Sequence, residues 1–342
     1  MQLWLLNLVY LLACILPLSA ALPRRGLPDD AFVWPPATRH QQLFSSEPEE
    51  DGSEIAFFTI AVGGERVKQR LDFLLSQLNT TTLCKNGCVM HVIFYSEAIS
   101  FSTQHWRNNM YGQIRVQMYH LPDMPETHAR RVQTVGDHLW CSKSCLLYLI
   151  RPYLHLILPS VPKVISLDLD LLIVQPERLK QLWYLFNDFR DEEILALTHE
   201  MQPTYIFHVF QRYRKALNYS TLIGLSAVQK EGGFPGFNGG VQLLHLERMR
   251  ASLLYNNVID ITGLTALRTK YLASDAPFQF GDQDLYSLIG AEYPQLFRVL
   301  PCGWNLQLCR GMFLRYKNFH HNCRETATII HNNCAYQGSQ PT

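Results

Sequence analysis

Asp168 and Asp170 stand one residue apart, directly after the apolar run Val164-Ile165-Ser166-Leu167. Two carboxylates that close repel each other unless a cation lies between them. Oxygen ligands of this kind suit Mn²⁺ or Mg²⁺, ions that usually also touch substrate phosphates. Three further stretches carry polar groups in distinctive settings. Asn238 sits in Phe234-Pro235-Gly236-Phe237-Asn238-Gly239-Gly240, Asp282 and Gln283 sit in Gly281-Asp282-Gln283-Asp284, and His331 closes Thr328-Ile329-Ile330-His331. His331 offers an imidazole that Mn²⁺ accepts as a third protein ligand. Each stretch alone has an ordinary structural explanation: solvated acids at a strand end, an Asn-Gly turn, a helix N-cap, a packed histidine. Together they read as a seat for a metal carrying a diphosphate.

The elements that must hold these groups follow from hydrophobic pattern. Residues 164–167 read as a strand buried on both faces, ending where the acids begin because Asp is a poor strand former. In an open α/β sheet, ligands bind at the carboxyl ends of the strands. Upstream, 54–62 is a strand stopped by Gly63-Gly64, and 67–78 is a helix with Leu71, Leu74, Leu75 and Leu78 on one side. Residues 90–96 and 114–119 are further strands. Strand, helix, strand opens a Rossmann-like α/β nucleotide-binding sheet flanked by helices. Gly63-Gly64 is not a GxGxxG fingerprint, which disfavours a dinucleotide enzyme. Further on, 144–158 reads as a long apolar helix, 177–186 as a helix after Pro176, and 194–198 as a strand. A glycine turn that exposes Asn238 feeds an apolar strand to residue 246. Residues 285–289 read as a helix with Asp282 or Asp284 available as its N-cap, and 328–334 as a short strand.

The totals bound the class. A hydrophobic fraction of 47% with 17% charged residues describes a globular chain with a sizeable core. A net charge of +1 without a basic block gives nucleic-acid binding no support. No charged side chain precedes Arg24, and 3–13 is almost wholly apolar. Residues 1–22 are therefore a cleaved signal, with Ser19-Ala20-Ala21 as its site, or a type II membrane anchor. Arg24 and Arg25 after the run disfavour the anchor by the positive-inside rule. Either delivers the chain to the secretory lumen. Residues 23–52, with several prolines and the acidic run 47–51, read as a flexible stem, and 53–342 as one catalytic domain. Asn79-Thr80-Thr81 and Asn218-Tyr219-Ser220 are glycosylation acceptors. Beyond Cys14 there are eight cysteines, an even number that reads as disulfides in an exported chain. No compact four-ligand set supports zinc at Cys84-x3-Cys88 or Cys141-x3-Cys145.

In their order, the motifs at 164–170, 237–246 and 281–284 and the late His331 resemble the glycogenin-like retaining glycosyltransferases, family 8, over nearly everything from Ile55 onward. Within the family the likeness is greatest to its xyloside α-1,3-xylosyltransferases. It rests on 165–170, Glu200-Met201-Gln202-Pro203, 234–238, 281–284 and Cys302-x-Trp304-Asn305-x-Gln307-Leu308-Cys309. The resemblance implies a GT-A type fold, Mn²⁺ dependence and an endoplasmic reticulum location. It implies transfer of xylose from UDP-xylose onto the O-linked xylose-glucose of EGF repeats such as those of Notch. Carried over by motif, Asp168 touches the metal and the donor ribose, and Asp170 and His331 complete the metal ligands. Asn238, Asp282 and Gln283 surround the donor sugar, Asn333 serves the diphosphate, and Thr59 and Ile60 join the donor-binding set. The family's usual His-x-Gly ending is here His331-Asn332-Asn333. An amide such as Gln283 is a poor nucleophile, so a front-face path fits better than a double displacement. The alternatives are another lumenal UDP-sugar transferase of the family, an inactive homologue, and a lectin-like module. The segment 199–233, with Tyr205, Phe207, Phe210, Arg212, Tyr213 and Arg214, and the region 302–323, with Trp304, supply aromatic residues for an acceptor surface; the competing explanation is that they are core.

Overall fold

An eight-stranded mixed sheet carries the motifs. In the computed structural model the residues described are 54–95, 110–139, 147–202, 234–271, 280–308, 323 and 327–333. The sheet contains β1 (Ala56–Val62), β2 (Cys88–Tyr95), β3 (Met110–Tyr111), β4 (Ile114–His120) and β5 (Val164–Leu167). A short strand, β6 (Leu171–Ile173), then leaves it, and β7 (Leu195–Glu200), β8 (Phe234–Leu244) and β9 (Phe297–Val299) return to it. Its order is β3-β4-β2-β1-β5-β8-β7-β9. β1 pairs in parallel with β2 on one side and β5 on the other. The chain therefore runs out along β2 and β4, then crosses back over β1 to start β5. That reversal leaves a crevice at the carboxyl ends of β1 and β5, where open α/β sheets bind ligands. A second sheet, order β10-β11-β6, adds β10 (Leu306–Gln307) and β11 (Ile329–His331).

Helices cover both faces. α1 (Glu65–Asn79) buries Leu71, Leu74, Leu75 and Leu78, the stripe its spacing predicts. It packs with α4 (Leu179–Tyr184) on the face that holds Phe57, Ile165 and Leu167. The opposite face, holding Phe58 and Val164, takes α2 (Glu126–His138), α3 (Leu154–Ile157), α5 (Leu246–Ala251), α6 (Leu253–Val258), α7 (Ile261–Tyr271) and α8 (Asp282–Glu292). Every residue of β5 is buried, and it ends at Leu167, one residue before the first acid. α1 also reaches the small sheet: Gln77 Nε2 donates to the Leu171 carbonyl at 3.2 Å, and Ile173 N–H donates to Gln77 Oε1 at 2.7 Å. The side-chain amide thus takes the place of a strand on the edge of β6.

Three expectations need correction. Phe234 to Leu244 is one continuous strand, not a turn feeding a strand, and Asn238 is buried within it. Gly236, at φ +96°, and register shifts against β7 absorb the irregularity inside the strand. The described part of 144–158 is not one helix. Pro152 has no N–H for an α-helical ladder, and a 3₁₀ turn, Arg151–Tyr153, precedes the four-residue α3. At α8 neither acid is the N-cap. Gly281, at φ +61°, holds that position, and Asp282 and Asp284 are buried in the first turn of a helix that continues to Glu292.

Disulfides join Cys84 to Cys88 and Cys302 to Cys323. Cys141, Cys145, Cys309 and Cys334 lie outside the described residues, as do the leader and stem readings and the Asn218 acceptor. The described residues fall in one compact unit, 50–342. None of their helices is long and apolar enough to cross a membrane.

Candidate active site

Three separate elements bring Asp168, Asp170 and His331 together. Asp168 follows β5, Asp170 immediately precedes β6, and His331 ends β11. The antiparallel pairing of β11 with β6 sets His331 opposite Leu171, and Asn332 N–H donates to the Asp170 carbonyl at 3.0 Å. Asp168 N–H donates to the Gly240 carbonyl at 2.9 Å, which ties the loop to β8. One ligand atom from each of the three side chains lies within 4.8 Å of the others. His331 Nε2 is 3.2 Å from Asp170 Oδ1 and 3.6 Å from Asp168 Oδ2. Gly240 is required here, because a Cβ on it would stand 2.2 Å from His331 Nδ1. Burial opposes both charges, yet the attraction between them holds Asp170 below its ordinary pKa and His331 above its own. Two carboxylates and an imidazole turned toward one point are a donor set that fits Mn²⁺ or Mg²⁺.

Beside the trio lies a network of buried and half-buried amides around Glu200, the last residue of β7. Asn238 Nδ2 donates to Glu200 Oε2 at 3.1 Å, and Gln283 Nε2 donates to the same oxygen at 3.1 Å. Gln202 N–H donates to Glu200 Oε1 at 3.0 Å, and the Gln202 side chain donates to Asn333 Oδ1 at 2.9 Å. Asn238 Oδ1 accepts from Gly240 N–H at 3.0 Å and Asn305 Nδ2 at 2.8 Å, and lies 3.2 Å from His331 Nδ1. Gln283 Oε1 accepts from Gly239 N–H at 3.2 Å. Burial pushes the Glu200 carboxyl up to about 7 despite these donors.

A second buried acid, Asp282, is compensated differently. Arg151 donates to Asp282 Oδ2 at 3.2 Å and, through its other terminal nitrogen, to Asp168 Oδ1. Gln242 Nε2 donates to Asp282 Oδ2 at 2.6 Å. Burial raises the Asp282 pKa to about 6 against the pull of Arg151 and Gln242. Burial alone would lower the Arg151 pKa, and the two aspartates more than offset it.

A model of glycosyl transferase family 8 matches residues 138–336. The chain belongs to glycosyl transferase family 8. Among relatives, it is 34% identical over 197 residues to xyloside xylosyltransferase 1 of Mus musculus, covering 55% of this chain and 47% of that protein. It is 28% identical over 190 residues to glucoside xylosyltransferase 2 of Xenopus laevis, covering 54% and 40%. The chain thus spans about half the length, or less, of these curated relatives. The apo crystal structure of mouse xyloside xylosyltransferase 1 matches 82% of this chain and 98% of that chain, with TM-score 0.66 and 25% identity. The mixed α/β sheet is accordingly of the GT-A type.

Within this family 8 chain, the site residues expected from sequence converge: Asp168, Asp170, His331, Asn238, Asp282, Gln283 and Asn333 share one connected set of contacts. Thr59 lies on β1 with its hydroxyl donated to the Leu167 carbonyl at 2.7 Å, so it ties β1 to the end of β5; Ile60 beside it is half-buried against the core. Trp304 is core and not acceptor surface. It is 5% exposed in the 3₁₀ turn Cys302–Trp304, with the Arg178 guanidinium 5.7 Å from its ring centre. Tyr205, Phe207, Phe210, Arg212, Tyr213 and Arg214 lie outside the described residues. Sequence reasoning assigned no role to Arg151 or Glu200. Arg151 did carry a signal, a lone charge inside an apolar run, which must find a partner if buried. Glu200 stood in a stretch noted only for likeness.

Proposed function

We propose that this chain is a retaining xylosyltransferase that moves xylose from UDP-xylose, in α-1,3 linkage, onto the O-linked xylose-glucose of Notch-type EGF repeats in the lumen of the endoplasmic reticulum. The observation that carries the transferase reading is the convergence of Asp168, Asp170 and His331, next to Asn238, Asp282 and Gln283, at the crevice of a family 8 sheet. The likeness to xyloside xylosyltransferase 1 supports xylose as the sugar. The two disulfides support an oxidising compartment. Asp168, Asp170 and His331 are the residues to hold the resident ion. When bound, Mn²⁺, or Mg²⁺ in its place, supplies Lewis-acid compensation for the charge that develops on the departing diphosphate.

The chain's own residues favour a front-face path. Glu200 and Asp282 are each 2% exposed; both Glu200 oxygens face amide donors, and Asp282 Oδ2 faces the Arg151 guanidinium and the Gln242 amide. Both Glu200 oxygens and Asp282 Oδ2 are thus committed to donors within the protein. Gln283 has its amide fixed at both ends, its carbonyl on Gly239 and its NH₂ on Glu200, which suits an oriented dipole beside a cationic sugar. In this scheme the acceptor hydroxyl gives its proton to the departing phosphate oxygen.

The test is UDP release in a screen of UDP-sugars, with Mn²⁺ and a xylose-glucose EGF repeat. UDP-xylose is expected to be the preferred donor. Asp170→Asn and His331→Ala are each expected to abolish turnover while the fold persists, and a chelator should silence the wild type. Sugar binding without UDP release would instead identify a lectin-like homologue. For the acceptor, kcat/KM on the folded repeat is expected to exceed that on the same glycopeptide reduced and unfolded; equal values would mean that only the glycan is read.

A further inference from the structure

The amide of Asn238 has two possible orientations, and its neighbours decide between them. Gly240 N–H can only donate, and it points to the atom at the Oδ1 position, 3.0 Å away. That atom must therefore be the oxygen. His331 Nδ1, 3.2 Å from the same oxygen, must then carry a proton. The other ring nitrogen, Nε2, faces Asp170 and Asp168. A ligating imidazole needs its lone pair on the metal side, and its opposite N–H fixed by an acceptor. The remaining end of the Asn238 amide, its NH₂, goes to Glu200.

We infer that Glu200 is a positioning residue for the metal site: by accepting the Asn238 NH₂, while Gly240 N–H and Asn305 Nδ2 donate to its oxygen, it helps to fix that amide, and through it the His331 tautomer that leaves Nε2 free for a divalent cation. The inference rests on the metal reading above and deepens it. An acceptor-only group is what the position requires. Among the described residues three donors converge on Glu200: Gln202 N–H, the Asn238 NH₂ and the Gln283 NH₂. A glutamine of the same shape cannot accept all three. With its oxygen toward Asn238 and Gln283, its NH₂ meets Gln202 N–H. With its oxygen toward Gln202, its NH₂ meets two amide donors. Asn238 must then turn over, placing Nδ2 against Gly240 N–H and His331 Nδ1. In that arrangement His331 relieves the clash by moving its proton to Nε2, which blocks the lone pair on the metal side.

The experiment titrates Mn²⁺ into the purified full chain at about pH 8, where Glu200 is ionised, without donor, and follows free aquo-Mn²⁺ by electron paramagnetic resonance. Thermal midpoints in chelator are recorded in parallel, so that loss of fold is read separately. Glu200→Gln is expected to weaken Mn²⁺ binding about 10–100-fold, as the loss of partners to ligating histidines does elsewhere. A second variant exchanges the two groups: Glu200→Gln with Asn238→Asp. The carboxylate introduced on β8 accepts from Gly240, from His331 and from the NH₂ of the new amide on β7, whose oxygen then faces Gln202 N–H. Mn²⁺ affinity is therefore expected to return to within about threefold of wild type. Turnover should stay low, because Gln283 still faces an NH₂. Unchanged Mn²⁺ affinity in Glu200→Gln overturns the inference, as does an exchange variant that binds no better than Glu200→Gln. A wild-type chain that binds no Mn²⁺ overturns the metal reading itself, and this inference with it.

Discussion

Asp282 and Glu200 are both 2% exposed, and the chain compensates them in opposite ways. Asp282 has a cation, Arg151, which it shares with Asp168, and one amide, Gln242. Glu200 has three neutral N–H donors and no cation among the groups bonded to it in the described residues. Burial drives both pKa values up, to about 6 for Asp282 and about 7 for Glu200. Ion pairing stabilises a buried charge strongly, and it leaves the partner exposed to a large cost if one member is lost. Neutral amides compensate less, but each has a direction, and the carboxylate imposes that direction on them. The Asp282 side is thus held by charge, and the Glu200 side sets orientation.

The sharpest way to break the contrast is Arg151→Met. It leaves Asp168 and Asp282 without their shared cation, and breaking a buried pair typically costs about 3–5 kcal/mol. Urea unfolding at pH 7.5 in chelator is expected to show a loss of that order. The loss has a predictable pH dependence. Without Arg151, the folded-state pKa of Asp282 rises further above its ordinary value of 3.8. The folded variant then binds a proton more tightly than the unfolded chain, so stability returns as pH falls. The deficit against wild type should be smaller at pH 5 than at pH 7.5. A deficit that is absent, or the same at both, would mean that Arg151 is not the counter-charge of Asp282.

Gln283 tests the other side. Gln283→Ala removes the amide between Glu200 and Gly239, one oriented dipole. Losing such a dipole lowers rates by roughly 10²–10³-fold, about 2.7–4 kcal/mol. The fall is expected in kcat, measured by UDP release, with Mn²⁺ affinity nearly unchanged because the Glu200–Asn238 contact survives. Gln283→Glu is expected to give no sugar adduct in intact-protein mass measurements. An adduct would establish a nucleophile at this position and sink the front-face path.

These two acids also mark where sequence stops being informative. β5 and its two aspartates were legible because burial on both faces dictates residue type at each position, and acids end such a run. The α1 leucines were legible from their spacing, and His331 from its place at a strand end. The Arg151 partnership was not: Asp282 lies 131 residues away, and no local pattern specifies that pairing. Glu200 contacts Asn238 and Gln283 across 38 and 83 residues. Asn238 reads as a turn residue because Gly236, Gly239 and Gly240 look like a turn in isolation. In the sheet, Gly240 instead makes room for the His331 ring, a need that arises only once β11 has packed against β8.

The smallest effect expected is the most direct measure of how weakly amides compensate Glu200. Its folded-state pKa of about 7 lies above the ordinary value of 4.5. The sign follows from linkage: the folded chain binds this proton more tightly than the unfolded one. The stabilisation is fully present below about pH 4.5 and is lost as pH rises through about 7. Glu200→Gln has no proton to lose there. The stability of wild type relative to Glu200→Gln should therefore decline from pH 5 to pH 8. Each pKa unit corresponds to about 1.4 kcal/mol, and partial solvent response inside proteins reduces the total to about 1–3 kcal/mol. Asp282 titrates in the same direction but is present in both proteins, so it cancels in the difference. Urea midpoints at four pH values in chelator give the slope, whatever the absolute stability of the variant. A flat difference would show that three amide donors keep Glu200 ionised across the range, and that directional hydrogen bonds compensate a buried charge more fully than Arg151 and Gln242 do for Asp282, whose pKa still rises to about 6.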